Sequence, residues 1–439
     1  MSHKTLFLQQ SYIDCTNQYT ALLEAPNLPL WDYVILTASN EEQAASYRTQ
    51  IQYRLEHNML PASTHYAVLP DPDGKRVGSG GATLNVLRYV HENAGSFENQ
   101  RILVIHSGGD SKRVPQFSPV PRVLPNGKRS TLFDEFMISM SGVAARMNAG
   151  MLVCSGDVLL LFNPLQIDFY GKGAAALSIK EPAEIGKNHG VYRVDGEGNV
   201  GGFLHKKTVE QLQSLGASDD QGNVDIDTGA VIFDSEMLQA LYQLVDTKEK
   251  FAAYVNERTR LSFYADFLYP LASDSTLEQY YKETPEGDFT PELEQCRTEL
   301  WSVLHPYQMK LIRMSPAAFI HFGTTKELRE LMTERMEEFC YLGWSSHIHT
   351  NRAEQNFAVS NSYVSPAAEI GVGSYLEDSM IRHKSQIGEE CVISGVTLDG
   401  QAIPDHTVLH GLKLLNGKFV VRMYGVSDNP KEASLFGKE

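Results

Sequence analysis

A short aliphatic run, Ile102 to Ile105, empties into Ser107, Gly108 and Gly109 and then into a basic, proline-studded loop that ends at Leu124. An uninterrupted run of this kind suits a strand buried on both faces of a parallel sheet. The chain must then turn sharply. Glycine tolerates positive φ and lets backbone N–H groups approach a ligand with no Cβ in the way. Lys112 and Arg113 follow at once, so amides and cations would converge where a strand ends, the usual ligand position in open α/β sheets.

A second glycine stretch repeats the theme. Lys75 and Arg76 precede Gly78, Ser79, Gly80, Gly81, Ala82 and Thr83, and then Leu84, Leu87 and Val90 recur at helical spacing. Between Lys75 and Arg129 stand nine basic residues and three acidic ones, in a chain of net charge -16. Neutralising a polyphosphate is the simplest use for such a local excess. The global balance, 54 Asp and Glu against 38 Lys and Arg, argues against a nucleic-acid partner or an anionic membrane. No run approaches the roughly 20 apolar residues of a spanning helix, and the first residues lack a signal-peptide core, so a cytoplasmic location is expected. Five cysteines without CxxC spacing read as reduced, packed thiols.

Strands and helices alternate through the first half. A helix is expected to about Glu24, a strand at Tyr33 to Thr37, a helix after it, a strand from Tyr66 to Leu69, a helix over Thr131 to Asn148 and a strand at Met151 to Ser155. That last strand runs into Gly156 and Asp157, a carboxylate well placed to hold Mg²⁺ against substrate phosphates, or simply to cap a turn. Ala174 to Ile179 is a strand. A hairpin follows, with Val191 to Val194 as its first arm and Phe203 and Leu204 ending its second. His189 and Gly190 before it, and Lys206 and Lys207 after it, are candidate substrate contacts. Asp225 to Phe233 returns to the sheet, with Asp227, Thr228 and Gly229 at its entry.

From about 248 to 336 the pattern is helical and aromatic. Beyond Asn361, short aliphatic beats beside glycine, such as Ile370 with Gly371 and Ile387 with Gly388, fit an imperfect hexapeptide β-helix. The expected architecture is therefore α/β. It comprises a Rossmann-like nucleotidyltransferase core with a mixed, mainly parallel sheet over residues 1–350, with the helical insertion at 248–336, and a C-terminal β-helix-like domain over 351–439.

Taken together, GSGGAT (78–83), SGGDSKRVPQFSPVPRVL (107–124), SGDV (155–158), NHGVY (188–192), FLHKK (203–207) and DTGAVIF (227–233) resemble the fucose-1-phosphate guanylyltransferase family. Its domain also forms the pyrophosphorylase half of bifunctional fucokinase/GDP-fucose pyrophosphorylases. HFGTTKELREL (321–331) and VRMYGVSDNPKEA (421–433) extend the similarity over nearly the whole chain.

The resemblance implies synthesis of GDP-L-fucose and pyrophosphate from GTP and L-fucose 1-phosphate, with Mg²⁺ as cofactor. Gly78, Ser79, Gly80, Gly81, Thr83, Gly108, Gly109 and Lys112 would bind nucleotide. Arg113 would grip the leaving polyphosphate. Lys206 would bind the sugar phosphate, joined by His189, Gly190, Lys207, Thr228 and Gly229. Asp157 would hold the metal, with Asp227 or Asp266 as a second ligand. Arg122 stands where the broader superfamily has lysine, and arginine keeps the charge with a different shape. A binding-only nucleotide-sugar protein and a transferase for another base or sugar are the competing readings, and a sugar kinase is not expected. A β-helix-like tail is compatible with a homo-oligomer.

Overall fold

A computed structural model describes residues 2–108, 119–205, 207–414 and 416–429. The first apolar runs form parallel strands β1 (Tyr33–Ala38), β2 (His65–Pro70) and β3 (Arg101–His106). Helix α1 (His3–Glu24) precedes them, and α2 (Glu41–Glu56) and α3 (Gly78–Ala94) connect them. Tyr33 of β1 lies opposite both His65 and Ile102. After β4 (Pro119–Val123), β5 (Arg129–Thr131) and α4 (Leu132–Met140), β6 (Gly150–Ser155) joins β3 in parallel, with Ile105 opposite Cys154. Val34, Ile35, Leu103, Val104, Leu152 and Val153 are all fully buried, as expected for strands covered on both faces.

Beyond β6 the sheet turns antiparallel. It contains β8 (Ala174–Pro182), β9 (Gly190–Val194), β10 (Val200–His205) and β11 (Asn223–Asp234), whereas β7 (Val158–Leu161) belongs to a separate two-stranded sheet. The strand order is β10-β9-β11-β6-β3-β1-β2, with β8 branching from β11. The sheet is therefore parallel on one side of β6 and, apart from the parallel pairing at the edge of β8, antiparallel on the other.

Two expectations change. The helix expected over 131–148 stops at Met140 and tightens into 3₁₀ turns over Ser141–Arg146, where Gly142 packs so closely that a Cβ would sit 2.9 Å from the Pro164 ring. The region expected to be helical over 248–336 also holds strands β12 (Met309–Arg313) and β13 (Ala318–His321), and β12 extends the main sheet beside β8. Its helices, among them Pro291–Leu304, pack around the core of Phe263, Phe267, Leu293 and Leu300. No helix among the described residues is long and apolar enough to cross a membrane.

The chain divides into two compact units, one formed by residues 1–110 and 137–319, the other by 111–136 and 320–439. The second begins well before the change of texture at Asn361. Helix Thr325–Met332 belongs to it through buried Arg329, which donates to the Gly373 carbonyl at 3.1 Å and meets Glu334 and Glu390 at 2.9 and 3.6 Å. Within this unit Ala358 pairs with Tyr375, Tyr375 with Val392 and Val392 with Val408, all in parallel. Two further ladders run alongside, Tyr363 to Met380 to Thr397 and Glu369 to Gln386 to Ala402. Each step is close to three hexapeptides long. Val359, Leu376, Ile381, Ile393 and Leu398 stack in register to fill the interior.

A carboxylate is buried on the opposite face of the strand Tyr375–Glu377 from Leu376. Glu377 is 1% exposed, and its carboxylate accepts the Tyr375 hydroxyl at 2.6 Å. Burial pushes its pKa up to about 8 against the opposing pull of Arg129. The folded unit therefore holds a proton that the unfolded chain has already released, and Glu377 loses stabilising value as pH rises towards 8. Glu377→Gln is expected to flatten this slope and raise the thermal midpoint at roughly pH 8.5 by a few degrees, with little change near pH 5. Parallel pH slopes in thermal melts of the two proteins would count against the assignment.

Candidate active site

Two carboxylates converge at the ends of β6 and within β11. After Ser155 the chain passes so close to β3 that the Gly156 N–H donates to the His106 carbonyl at 3.1 Å, and a Cβ on Gly156 would lie 2.6 Å from that oxygen. The next residue, Asp157, accepts the Ser155 hydroxyl at 2.5 Å. In β11 the pairing with β8 slips between Asp227 and Ala230, and the bulge puts Gly229 at φ +70°. There a Cβ would stand 3.0 Å from the Ser155 side chain. Bulges of this kind re-aim side chains beside functional sites.

Asp227 is the residue so aimed. Its carboxylate accepts the Tyr192 hydroxyl at 2.8 Å and the Gly229 N–H at 2.9 Å. Burial raises its pKa, and those two donors oppose the rise. Tyr264 donates to the Gly229 carbonyl at 3.4 Å. Burial, followed by the charges of Asp227 and Asp157, holds the Tyr264 proton on far more tightly than usual. Asp157 and Asp227 thus share one neighbourhood with Ser155, Gly229 and Tyr264. Among the described residues no group of three or more His, Cys, Asp or Glu could hold a metal ion. Two carboxylates completed by phosphate oxygens and water nonetheless match the ordinary coordination of Mg²⁺. Tyr192 and Tyr264 were not singled out from the sequence.

The first glycine stretch packs closely against residues 260–263. Gly78 has φ +78°, and a Cβ there would meet the Leu261 carbonyl at 2.1 Å. The Gly80 N–H donates to that carbonyl at 2.8 Å, and the Ser79 N–H reaches the Glu286 carboxylate at 3.5 Å. The Ser79 hydroxyl accepts the Phe263 N–H at 2.9 Å. Gly81 packs on Val77, with 3.0 Å between a would-be Cβ and the valine Cβ. Thr83 donates to the Ser79 carbonyl at 2.9 Å and lies 3.0 Å from His106 Nε2, so that nitrogen carries the ring proton. Burial drops the His106 pKa to about 4, leaving the ring neutral. Gly78 and Gly80 admit the backbone at Arg260 and Leu261. Gly78→Ala is accordingly expected to cost about 3 kcal/mol in equilibrium denaturation, because it joins a clash to a strained φ. A stable variant with weakened nucleotide affinity would restore the ligand-binding role.

Other candidates also find protein partners. Arg122 is buried, with its guanidinium 3.1 and 3.3 Å from the Glu135 carboxylate, which also accepts the Ser130 hydroxyl at 2.6 Å. This ion pair ties β4 to α4. Asp266 is fully buried against Arg297 at 2.8 Å and accepts the Ser262 N–H. Thr228 is buried and donates to the Leu177 carbonyl at 2.6 Å, and the Gly229 N–H donates to Asp227 at 2.9 Å. The His189 ring stands edge-on to Phe319 at 5.3 Å. Gly190 leaves room for the Phe203 ring, which a Cβ would approach to 2.7 Å. Lys207 is half-buried and favours ionisation of Glu283. The Gly108 N–H donates to the Thr37 hydroxyl at 3.2 Å. Gly109, Lys112, Arg113 and Lys206 lie outside the described residues.

Residues 94–438 match the family model described as the fucose pyrophosphorylase domain. Fucose-1-phosphate guanylyltransferase of Homo sapiens is 27% identical over 453 aligned residues, spanning 92% of this chain and 73% of that one. The bifunctional fucokinase/GDP-fucose pyrophosphorylase of Arabidopsis thaliana is 25% identical, over 92% of this chain and 43% of its own. Among solved structures, HddC from Yersinia pseudotuberculosis aligns at 13% identity with a TM-score of 0.31, covering 74% of this chain and 82% of that one. A score this low carries no argument about fold.

Proposed function

Because the chain belongs to the fucose pyrophosphorylase family, we propose that it joins GTP to L-fucose 1-phosphate, forming GDP-L-fucose and pyrophosphate. Its relatives are nucleotidyltransferases, and it is an enzyme of that type. A phosphate oxygen of the sugar attacks the α-phosphorus of GTP, a new P–O bond forms, and the α–β bridging bond breaks as pyrophosphate departs. Such a reaction asks for alignment and charge neutralisation more than for covalent chemistry.

The convergence of Asp157 and Asp227 is the observation that carries this reading. Those two residues would hold Mg²⁺, which when bound neutralises the phosphate charge that develops during transfer. Tyr192 and the Gly229 N–H hold Asp227 in place, and Ser155 does the same for Asp157. Lys112 and Arg113 are assigned to the leaving polyphosphate, and Lys206 with Lys207 to the sugar phosphate. The three parallel ladders of the second unit are read as a short β-helix. The five cysteines are free, which favours a reducing compartment such as the cytoplasm.

The test is pyrophosphate release with Mg²⁺ across GTP, ATP, UTP and CTP against L-fucose 1-phosphate and other sugar 1-phosphates. Turnover confined to GTP and L-fucose 1-phosphate is expected. Turnover with a different pair would keep the chemistry and change the substrate, whereas nucleotide binding without turnover would favour a binding-only protein. ATP-dependent phosphorylation of free fucose is not expected.

A further inference from the structure

The buried interior of the stacked ladders includes a row from Val359 through Leu376 and Ile393 to Leu409, each residue opposite the next. The row continues to Met423 on the last strand, Phe419–Gly425, which pairs antiparallel with Thr407–Lys413. Val359, Leu376 and Ile393 are fully buried and Leu409 is 7% exposed, but Met423 is 67% exposed. Phe419 and Val421 share its face by the two-residue period of a strand, and they are 55% and 49% exposed. The core of this unit thus runs out onto an open apolar stripe. The backbone beside it is open as well. The Leu414 N–H donates to the Lys418 carbonyl and the Val426 N–H to the His406 carbonyl, both at 2.8 Å. By antiparallel alternation Val420, Arg422 and Tyr424 then bond to Thr407–Lys413, and Phe419, Val421 and Met423 aim their N–H and C=O groups away from it. Among the described residues no strand pairs with that outer edge. Free edges are ordinarily blunted by proline, bulges or charge. This strand has an unbroken register, no proline and one charge, Arg422, which stands on the opposite face, 5.4 Å from the Tyr424 ring centre.

We infer that a second copy of this chain docks here, its Phe419–Gly425 strand pairing antiparallel with the same strand about a two-fold axis at Val421. A two-fold contact must be self-complementary. This register makes it so. Phe419 meets Met423 of the second copy, a thioether against an aromatic ring, and Val421 meets its own counterpart. Arg422 lies opposite Val420, whereas an axis at Arg422 would set like charges face to face. The ends match too. Lys418 precedes the strand, and Asp428, which accepts the Gly425 N–H at 2.7 Å, follows it. Antiparallel pairing brings the lysine of one copy towards the aspartate of the other, and parallel pairing would bring like ends together. The ladder stops at Met423, because the Gly425 N–H is already taken. Two six-stranded sheets would join into one, with no free edge at this end.

The experiment is sedimentation velocity of the full chain across a micromolar concentration series. Wild-type protein is expected to pass from monomer to dimer. Val421→Lys, which sets two ammonium groups opposite each other, is expected to weaken the association by about a hundredfold or more with the thermal midpoint unchanged. The register is read by mild oxidation in a Cys340→Ser background, since Cys340 is an exposed free thiol. Val421→Cys is expected to form a disulfide-linked dimer, because residues opposite each other in a hydrogen-bonded pair stand about 5.5 Å apart at Cα. Phe419→Cys is expected to stay unlinked alone and to link to Met423→Cys when the two proteins are mixed. A wild-type monomer at every concentration overturns the inference and gives the edge to residues 430–439 or to a different protein. A dimer that Val421→Lys leaves intact, or one that Phe419→Cys links to itself as readily as Val421→Cys does, overturns it too.

Discussion

Asp157→Asn is expected to lower the rate of pyrophosphate formation by about a thousandfold or more at saturating substrate. The change is nearly isosteric, and an asparagine oxygen still accepts the Ser155 hydroxyl that holds Asp157 at 2.5 Å, so the local fold survives. What disappears is one of two negative charges available for a divalent cation. Asp227 cannot replace it alone, since burial already weakens its ionisation and two donors occupy it. The loss should fall on kcat, and GTP affinity should change by less than about tenfold, because polyphosphate contacts assigned to Lys112 and Arg113 remain. Rapid-quench single turnovers across a Mg²⁺ series would check this. A near wild-type rate in the variant would remove Asp157 from the chemistry.

Asp266→Ala is expected to cost about 3–5 kcal/mol in stability, enough to threaten folding at physiological temperature. Arg297 is fully buried, with Asp266 as its only carboxylate partner among the described residues. Its remaining bonds go to the carbonyls of Tyr280, Tyr281 and Glu283. Removing Asp266 leaves a guanidinium in the core without its bonded counter-charge. Replacing both, as Asp266→Leu with Arg297→Met, should restore most of the loss, since paired burial of charge gives little net stability over apolar packing. Denaturant titration of the three proteins checks the effect. A stable Asp266→Ala protein with altered Mg²⁺ dependence would return Asp266 to the metal site.

These two aspartates show what could be read from the residues. Asp157 follows a largely buried strand, and such a run announces both the strand and where it ends. Asp266 sits in an aromatic stretch with no such frame, and its partner, Arg297, comes from a separate helix. Gly78 and Gly80 were legible as close-approach positions, but what approaches them was not. A glycine requirement looks the same whether a phosphate or a neighbouring backbone takes the space, and only the position of Leu261 decides. The hairpin of β9 and β10 was legible from its turn and alternation. β12 was hidden among helical neighbours because Met309, Leu311 and Ile312 owe their strand to β8, a pairing no local pattern reveals. Tyr192 and Tyr264 act through contacts with residues far along the chain, so neither carries a local signal.

The division of the chain also bears on how it is made. Residues 111–136 emerge from a ribosome long before residues 320–439, with which they form a unit. The main sheet, meanwhile, needs β6, β8, β11 and β12, all of which follow that stretch. Translation proceeds at about 5–20 residues per second, so the segment waits on the order of ten seconds or more for its neighbours. During that interval Val120 and Leu124, buried in the finished protein, have no home. Nascent chains halted before residue 320 should therefore be more prone to chaperone capture and proteolysis at this segment than the completed protein.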